Sequence, residues 1–394
     1  MAVEKVQKTV AAYVIRLTAA AVNSQKAPEN TDNIPWQDII DFAESQSVLN
    51  IVAYACETLD SKPDARTMKY LREFRKQRMI IEAQQDVETG DALDRLEQMG
   101  IRHMPLKGYV VKYLYPSPDM RTMGDMDILV DPERMEEITQ AFIADGFTFY
   151  GEGDLHTNLK RGKAHFEFHR ALVNTSYKNL TAYFGSGFDR AVKCEGSQYR
   201  YKLSREDMYI FLLAHLAKHY RYGGTGIRTV LDLYVYRRAY PELDMDYIYA
   251  ETAKIGLDRF QRKTEKIADD WFGGGFDGSF DSVSGYIISG GTYGVKDRNI
   301  VNEMINSSEG KSITAGKIKS IFSMIFPNYE LMSELFPVLK KYKFLLPLMW
   351  VARWFKSVFG RNSGLKNTLN VSAEILGVDD EAISAQRDAE LGEL

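Results

Sequence analysis

The chain has 394 residues, of which 45% are hydrophobic and 26% charged, the usual balance of a water-soluble globular protein. A formal net charge of −4 argues against a general nucleic-acid binder, so no DNA partner is expected, although local basic patches leave room for a tRNA acceptor. Cys56 and Cys194 provide no disulfide framework, and the first residues follow helical rather than signal-peptide spacing, so we expect a cytoplasmic protein.

Residues 1–99 carry the patterns of helices throughout. Apolar residues recur every three to four positions in the first 23 residues, and a second helix is predicted to begin near Trp36. A long helix is predicted from about Asp64 to Met99, ending at Gly100, because glycine is favoured just past a helix end. We expect this region to pack as a helical cap on the sheet that follows.

The central stretch runs from Ile101 to Val130. It begins with a short apolar segment that closes on Lys107 and Gly108, and it ends in a strand that carries Asp125 and Asp127. Side chains two residues apart on a strand point to the same face, so the two carboxylates are predicted to stand together. We expect them to be exposed at the start of an otherwise buried strand, an arrangement that suits a divalent cation such as Mg²⁺.

The order of short motifs in this stretch resembles a known family. The motifs are Leu106-Lys107-Gly108, Leu114-Tyr115-Pro116, Arg121 and the segment GDMDILV at residues 124–130. Together they are similar to a bacterial family of nucleotidyltransferases within the DNA polymerase β-like superfamily. The resemblance implies an α+β fold, with a small mixed β-sheet of polymerase β-like type flanked by N-terminal and C-terminal helical regions.

The resemblance also implies a reaction. A metal-dependent enzyme of this type transfers NMP from an NTP, ATP among the candidates, to a hydroxyl acceptor and releases pyrophosphate, with Mg²⁺ or Mn²⁺ as cofactor. Asp125 and Asp127 would hold the metal. Lys107, Gly108 and Arg121 would bind the nucleotide: Gly108 lies on the turn that cradles phosphate in the superfamily, Lys107 and Arg121 are the nearest cations in sequence, and an Arg fork suits phosphate oxygens.

A helix and a hairpin are predicted after the acidic strand. Asp131-Pro132 is a strong helix start, and the helix should run to about Ala144. A hairpin is plausible between residues 155–160 and 164–172 across the loop at residues 161–163.

The second arm of the hairpin offers a third carboxylate. By alternation His165, Glu167 and His169 share one face, and Glu167 can reach Asp125 and Asp127 if the two strands are neighbours. Polymerase β-like enzymes place a third carboxylate on such a later strand. The resemblance therefore implies Glu167 as the third metal ligand, where it, or a metal-bound water beside it, helps to remove the acceptor proton.

A helix is predicted from Ser204, with Asp207 completing a capping-box pattern. It carries His215 and His219 at i and i+4, the spacing of helical zinc sites. Leu216 stands where the zinc-protease motif needs a glutamate, so partly buried, hydrogen-bonded histidines are the preferred interpretation. A zinc site and a role at the mouth of the active site remain as alternatives.

A second helix carries Arg228 and Asp232 at i and i+4, for which a structural ion pair is the first interpretation. Phosphate or acceptor binding by Arg228 is the second. The glycine-rich residues 273–294 are predicted to form a long surface excursion.

The C-terminal part changes from basic to acidic. Residues 311–361 contain nine Lys or Arg and two Glu, and the nine apolar residues 344–352 are too few to cross a bilayer. A buried helix interrupted at Pro347 is preferred for this segment. The alternative is a basic, aromatic surface helix at residues 340–359 that rests on an anionic membrane. From Asn362 an acidic tail follows.

We therefore predict four parts: an N-terminal helical region (1–99), a nucleotidyltransferase core (100–203), a C-terminal helical region (204–361) and an acidic tail (362–394). The preferred function is NMP transfer to a small molecule, a protein or a tRNA. Two alternatives stand beside it: a non-catalytic nucleotide-binding regulator, and a membrane-surface accessory protein that uses residues 340–359.

Overall fold

The computed structural model describes residues 2–153, 155–173, 178–221 and 225–291, with residues 326, 329, 332, 336 and 338–350. The chain divides into two compact units, Met1–Lys218 with Thr225–Thr292 and His219–Gly224 with Tyr293–Leu394. The candidate site discussed below lies in the first unit. The predicted acidic tail lies outside the described residues.

The N-terminal region is helical, as predicted. Its described helices are α1 Ala2–Val22, α2 Trp36–Ser45, α3 Leu49–Cys56 and α4 Ala65–Gln98. Helix α4 begins where the carboxylate of Asp64 accepts hydrogen bonds from the backbone N–H groups of Arg66 and Thr67. It ends just before Gly100, whose φ of +66° is the left-handed conformation that glycine adopts easily.

The central part forms one five-stranded sheet. Its strands are β1 His103–Pro105, β2 Met126–Val130, β3 Thr148–Glu152, β4 His156–Arg161 and β5 Ala164–His169. The spatial order is β1-β2-β5-β4-β3, in which β2 and β5 run parallel and the other neighbours antiparallel. The mixed sheet and its helices confirm the predicted α+β class.

The predicted hairpin forms, but its loop is one residue shorter than expected. Arg161 pairs with Ala164, so that only Gly162 and Lys163 connect β4 to β5. Gly162 has a φ of +59°, which a two-residue hairpin turn with glycine first requires. This register places His156 directly opposite His169.

One face of the sheet packs against α4 and α6 (Met135–Ala144). Phe166 and Phe168 are fully buried there, and the ring of Phe142 lies 4.9 Å from that of Phe168. Truncating such a side chain to alanine typically costs about 3–5 kcal/mol. Because side chains alternate along β5, Glu167, which lies between these phenylalanines, is turned to the opposite face, where the candidate site lies.

The chain after the sheet is mainly helical. Its described elements are α7 Lys178–Phe184, β6 Ala191–Lys193, β7 Tyr201–Leu203, α8 Arg205–Arg221, α9 Ile227–Ala239, α10 Met245–Lys254, α11 Asp258–Phe272 and α12 Ser282–Gly290. The small ribbon of β6 and β7 was not predicted. Helix α8 starts as expected, since the N–H of Asp207 donates to Ser204 Oγ at 3.0 Å.

Two predictions for the C-terminal part are wrong in the described residues. The glycine-rich stretch is not all surface loop, because α12 buries Val283 and Ile287 one turn apart. Phe344 and Leu348 are 77% and 59% exposed, so this segment is not a buried helix. Pro347 does not interrupt it either, because it lies in the first turn of a helix at residues 346–350, where proline is tolerated.

The membrane alternative concerns residues 340–359, of which residues 351–359 lie outside the described part of the chain. Among the helices that the structure describes, none has the length and apolar content needed to span a bilayer.

Candidate active site

Three carboxylates meet on the face of the sheet opposite α4 and α6. Asp127 and Glu167 are direct register partners on the parallel strands β2 and β5, so their side chains project to the same side. Asp125 immediately precedes β2 and lies close enough for the charges of both to act on it. The structure therefore brings Glu167 beside the acidic pair, as the alternation pattern suggested.

The acidic pair is not exposed as expected. Asp127 is only 7% exposed, and Asp125 is half-buried. The physical reason is that the side chains of Lys107 and His169 close over Asp127. Lys107 Nζ donates to its Oδ1 at 2.8 Å, and His169 Nε2 lies 2.7 Å from the same oxygen.

The turn after β1 is fixed by its backbone. The N–H of Leu106 donates to the carbonyl oxygen of Asp127 at 3.0 Å, which ties the turn to β2. Lys107, the first residue of helix α5 (Lys107–Val111), has a φ of +44°. A non-glycine residue in this left-handed region carries a strain of about 1–2 kcal/mol. The strained turn directs the Lys107 ammonium to Asp127.

Gly108 allows this turn to pack closely against the loop before Asp125. A Cβ at position 108 would lie 3.0 Å from Met123 Sδ and 3.2 Å from Arg121 Nη1. Those contacts are tighter than ordinary van der Waals separations. An added Cβ at position 108 therefore requires the side chains of Met123 and Arg121, which belong to the loop before the acidic strand, to give way.

Arg121 holds the same loop in place through a buried ion pair. Its Nε and Nη2 each lie 2.9 Å from a carboxylate oxygen of Asp232 on α9. The hydroxyl of Tyr115 donates to the same carboxylate at 2.7 Å. The fork of Arg121 is engaged by Asp232, while its charge also lies close enough to Asp125 to interact with that carboxylate.

Asp232 on α9 takes a partner that the helical spacing did not predict. It is 4% exposed and pairs with Arg121. Arg228 Nη1 donates to the backbone carbonyl of Thr122 at 3.1 Å, which adds a second anchor to the loop before Asp125.

Two histidines complete the polar face. His169 Nε2 lies 3.4 Å from Glu167 Oε2, and His156 Nε2 lies 3.8 Å from Glu167 Oε1. The ligand atoms of these three residues lie within 4.8 Å of one another, which is close enough for a metal ion. The hydrogen bond from His169 lowers the pKa of Glu167, whereas burial lowers the pKa of His156.

The electrostatics differ sharply between the two aspartates. Burial raises the pKa of Asp125 above its ordinary value, and the charges of Asp127 and Glu167 raise it further. Burial acts in the same direction on Asp127, but the Lys107 charge and the His169 hydrogen bond outweigh it and hold its pKa well below the usual range. Asp127 is thus compensated, whereas Asp125 carries a negative charge that its surroundings disfavour.

Sequence reasoning missed a second lysine. Lys218 on α8 is half-buried, and its pKa is lowered by burial and by the charge of Lys107, against the opposing pull of Asp127 and Glu167. These influences place its ammonium within electrostatic range of the site. The available signal was its position three residues after His215 on the same helix.

Sequence reasoning also passed over His156 and weighed other histidines instead. A two-residue hairpin turn would have placed His156 opposite His169 in advance. The ring of His215 lies 6.5 Å from that of Phe211, and the group with metal-ligand spacing in the described chain is that of His156, Glu167 and His169. The zinc alternative at His215 and His219 is not part of that group.

Comparison with known proteins gives one match. A family model described as "Uncharacterised nucleotidyltransferase" matches residues 32–273, a range that contains the whole sheet and helices α2 to α11. No curated protein and no solved structure matches the chain.

Proposed function

Because the chain belongs to the uncharacterised nucleotidyltransferase family, we propose that it transfers a nucleoside monophosphate from an NTP to a hydroxyl acceptor and releases pyrophosphate. The observation that carries the proposal is the convergence of Asp125, Asp127 and Glu167 on one face of a mixed sheet. The same arrangement supports placing the chain in the polymerase β-like superfamily, as the motifs around Asp125 and Asp127 suggest.

The donor set fits a divalent cation, for which we propose Mg²⁺ or Mn²⁺. Burial raises the pKa of Asp125, the charges of Asp127 and Glu167 raise it further, and a cation would relieve that repulsion between carboxylates. In the part of the chain that the structure describes, both hydrogen bonds to the Asp127 carboxylate reach Oδ1, which leaves Oδ2 open. Asp125, Asp127 and Glu167 would hold the cation. When bound, it would neutralise triphosphate charge and polarise the reacting phosphoryl group.

Lys107 and Lys218 supply the protein's own positive charge for the triphosphate. Lys107 is held at Asp127 by the strained turn, and Lys218 approaches from α8. A lysine acts on phosphate as a compact point charge, so both can contact oxygens of the leaving pyrophosphate. Arg121 takes a positioning role instead, because Asp232 occupies its guanidinium.

Glu167 serves as the base for the acceptor. The acceptor hydroxyl gives its proton to Glu167, and its oxygen forms a bond to the α-phosphorus. The bond between that phosphorus and the bridging oxygen to the β-phosphate breaks, and pyrophosphate leaves with the electron pair.

The acceptor is proposed by chemical class. A net charge of −4 and the absence of a basic, aromatic track in the sequence favour a small molecule or a protein over DNA. A tRNA end stays within the proposal. The base of the nucleotide is open among the four NTPs.

One observation favours a second candidate, a nucleotide-binding regulator without turnover. Asp127 Oδ1 already accepts hydrogen bonds from Lys107 and His169, so the site is compensated before any metal arrives. A regulator of this kind would bind an NTP and leave it intact. Release of pyrophosphate therefore separates the two candidates.

The proposal is tested first by nucleotide binding. Thermal denaturation is recorded for wild type and for Asp125→Asn/Asp127→Asn with each NTP, with and without Mg²⁺ or Mn²⁺. We expect metal-dependent stabilisation in the wild type alone, because ligand binding raises the free energy of unfolding. Glu133→Gln is the matched control, since Glu133 is exposed just beyond the other end of β2. Equal metal-dependent stabilisation of the double variant would refute the placement of the site.

Group transfer is tested with isotopes. Incubation with α-³²P-labelled and γ-³²P-labelled NTP, together with polyol, protein and tRNA acceptors, distinguishes the transferred group. We expect label from the α-phosphate on the acceptor, and a loss of about 10²-fold or more in rate for Glu167→Gln. Transfer of the γ-label would overturn the proposed reaction.

A further inference from the structure

Two histidines and a glutamate form a compact group beside the acidic pair. His156 on β4 is the direct antiparallel partner of His169 on β5, and Glu167 precedes His169 by two residues on the same face. Glu167 lies between them, 3.4 Å from His169 Nε2 and 3.8 Å from His156 Nε2. The group therefore offers two nitrogens and one carboxylate from a rigid pair of strands.

The separations in this group match those around a bound ion. Metal ions hold histidine nitrogen and carboxylate oxygen at about 2.0–2.2 Å, so ligand atoms around one ion are roughly 3–4.2 Å apart. Both distances to Glu167 fall in that interval, and all three ligand atoms lie within 4.8 Å. Only a small inward movement of the side chains is required.

The backbone at Gly153 fixes the position of the His156 ring. A Cβ at position 153 would lie 3.0 Å from His156 Nε2, the nitrogen that faces Glu167. Glycine at position 153 therefore lets the ring of His156 pack against the backbone in the orientation that faces Glu167. The N–H of Gly153 also donates to the carbonyl of His156 at 2.9 Å, which fixes the backbone that carries the ring.

We propose that His156, Glu167 and His169 form a separate metal position, selective for a first-row transition ion such as Zn²⁺ or Fe²⁺. Imidazole nitrogen suits these ions, whereas Mg²⁺ prefers oxygen ligands only. The ion would take the place of the proton between His169 Nε2 and Asp127 Oδ1, and these two atoms, now 2.7 Å apart, would separate so that Asp127 becomes a shared fourth ligand. The part of the inference that gives the ion a role, on the acceptor side of Glu167, rests on the proposed function.

The binding itself is tested without nucleotide. Co²⁺ is titrated into the full-length protein and followed by its visible d–d absorption, and Zn²⁺ and Mg²⁺ are then added as competitors. We expect Zn²⁺ to displace Co²⁺ at micromolar concentration and Mg²⁺ not to displace it at millimolar concentration. His156→Gln should weaken Co²⁺ binding by about tenfold or more.

His165→Gln is the matched control. His165 lies on the same strand face but outside the group, so Co²⁺ affinity should stay within about twofold of wild type. His156→Cys provides a rescue that depends on ligation, because a thiolate binds the same ions. We expect it to retain Co²⁺ and to add a sulfur-to-cobalt charge-transfer band in the near ultraviolet, which a purely structural role of His156 would not produce.

Three results would overturn the inference: no binding of Co²⁺, undiminished binding by His156→Gln, or displacement by Mg²⁺ at concentrations similar to those of Zn²⁺. Asp125→Asn separates this failure from failure of the proposed function. It should abolish Mg²⁺-dependent NTP binding and retain Co²⁺. Co²⁺ binding without nucleotidyl transfer would refute the function and leave the metal position standing.

Discussion

Arg121 and Asp232 lie 111 residues apart in the chain and form a two-pronged ion pair, with Arg121 Nε and Nη2 each 2.9 Å from the carboxylate. The pair joins the loop before Asp125 to helix α9, at a point where both side chains are at most 11% exposed. Asp125 therefore owes its position to a contact with a helix far away in sequence. This relationship makes Arg121 a test of how the site is held.

Arg121→Ala should lower the free energy of unfolding by about 3–5 kcal/mol, because it leaves the carboxylate of Asp232 buried without its partner. Arg121→Lys should lose part of this, since an ammonium cannot reproduce the fork. Urea denaturation measures both. Arg102→Ala is the control: Arg102 pairs with Asp131 at 48% exposure and should cost at most about 1 kcal/mol. If Arg121→Ala keeps its stability but loses NTP binding, Arg121 binds the triphosphate and does not act by positioning the loop.

The two aspartates should respond oppositely to amidation. Asp125→Asn should raise the melting temperature of the nucleotide-free protein, because its raised pKa shows that burial and the charges of Asp127 and Glu167 disfavour its charge at neutral pH. Asp127→Asn should lower stability by about 3–5 kcal/mol, since Lys107 and His169 lose their anionic partner. Calorimetry at pH 7 checks both. Equal shifts of the same sign would contradict the assignment of charge within the pair.

Lys218→Ala should raise the KM for NTP by about tenfold, equivalent to about 1.4 kcal/mol, because an ammonium near the triphosphate is lost. Stability should not fall, since burial and Lys107 already disfavour the charge of Lys218. Lys218→Arg should retain most of the affinity. Lys163→Ala, in the exposed hairpin turn, serves as the control for loss of one positive charge. Equal NTP affinity of Lys218→Ala and Lys163→Ala would show that Lys218 does not contact the triphosphate.

Gly108→Ala and Gly90→Ala should change stability in opposite directions. A Cβ at position 108 meets Met123 Sδ at 3.0 Å, so the variant should lose about 1–3 kcal/mol and some activity as the loop before Asp125 shifts. Gly90 lies inside α4 with nothing within 4 Å of its added Cβ, so alanine should stabilise by about 0.5–1 kcal/mol. Met123→Ala should rescue the Gly108 variant in part. If Gly108→Ala leaves the free energy of unfolding unchanged, the turn can accommodate a Cβ at this position.

His103 should make stability depend on pH. It is fully buried, its Nδ1 lies 2.9 Å from the carbonyl oxygen of Ile101, and burial lowers its pKa below the ordinary 6.5. Below about pH 6.5 the unfolded chain therefore binds a proton that the folded chain resists, and stability falls as the pH falls.

This pH effect is measured as a difference between unfolding curves of wild type and His103→Gln from pH 7.5 to 5. The free energy of unfolding should depend more steeply on pH in the wild type than in the variant, by up to about 1.4 kcal/mol per pH unit, which is the contribution of one proton. Groups common to both proteins cancel in the subtraction. Parallel curves would show that His103 titrates alike in the folded and unfolded states.

Local features of the fold followed from local sequence. Asp64 and Gly100 delimit α4 because a carboxylate cap and a left-handed glycine act within a few residues of the helix ends. Alternation placed Glu167 and His169 on one face for the same reason, since the period of a strand depends only on its backbone. The prediction of a long surface excursion at residues 273–294 is wrong at residues 282–290, because burial of Val283 and Ile287 in the tertiary structure outweighs the helix-weakening glycines.

The sequence by itself determined the candidates for the chemistry: the order of the motifs, the acidic pair and the strand that brings a third carboxylate to it. Only the tertiary structure decided the partners of those charges: Lys107 and His169 on Asp127, Arg121 on Asp232, and Lys218 and His156 near the three carboxylates. Capping and side-chain periodicity are set by residues a few positions apart. Ion pairing depends on separation and on burial, and both are fixed only when elements distant in the chain pack together.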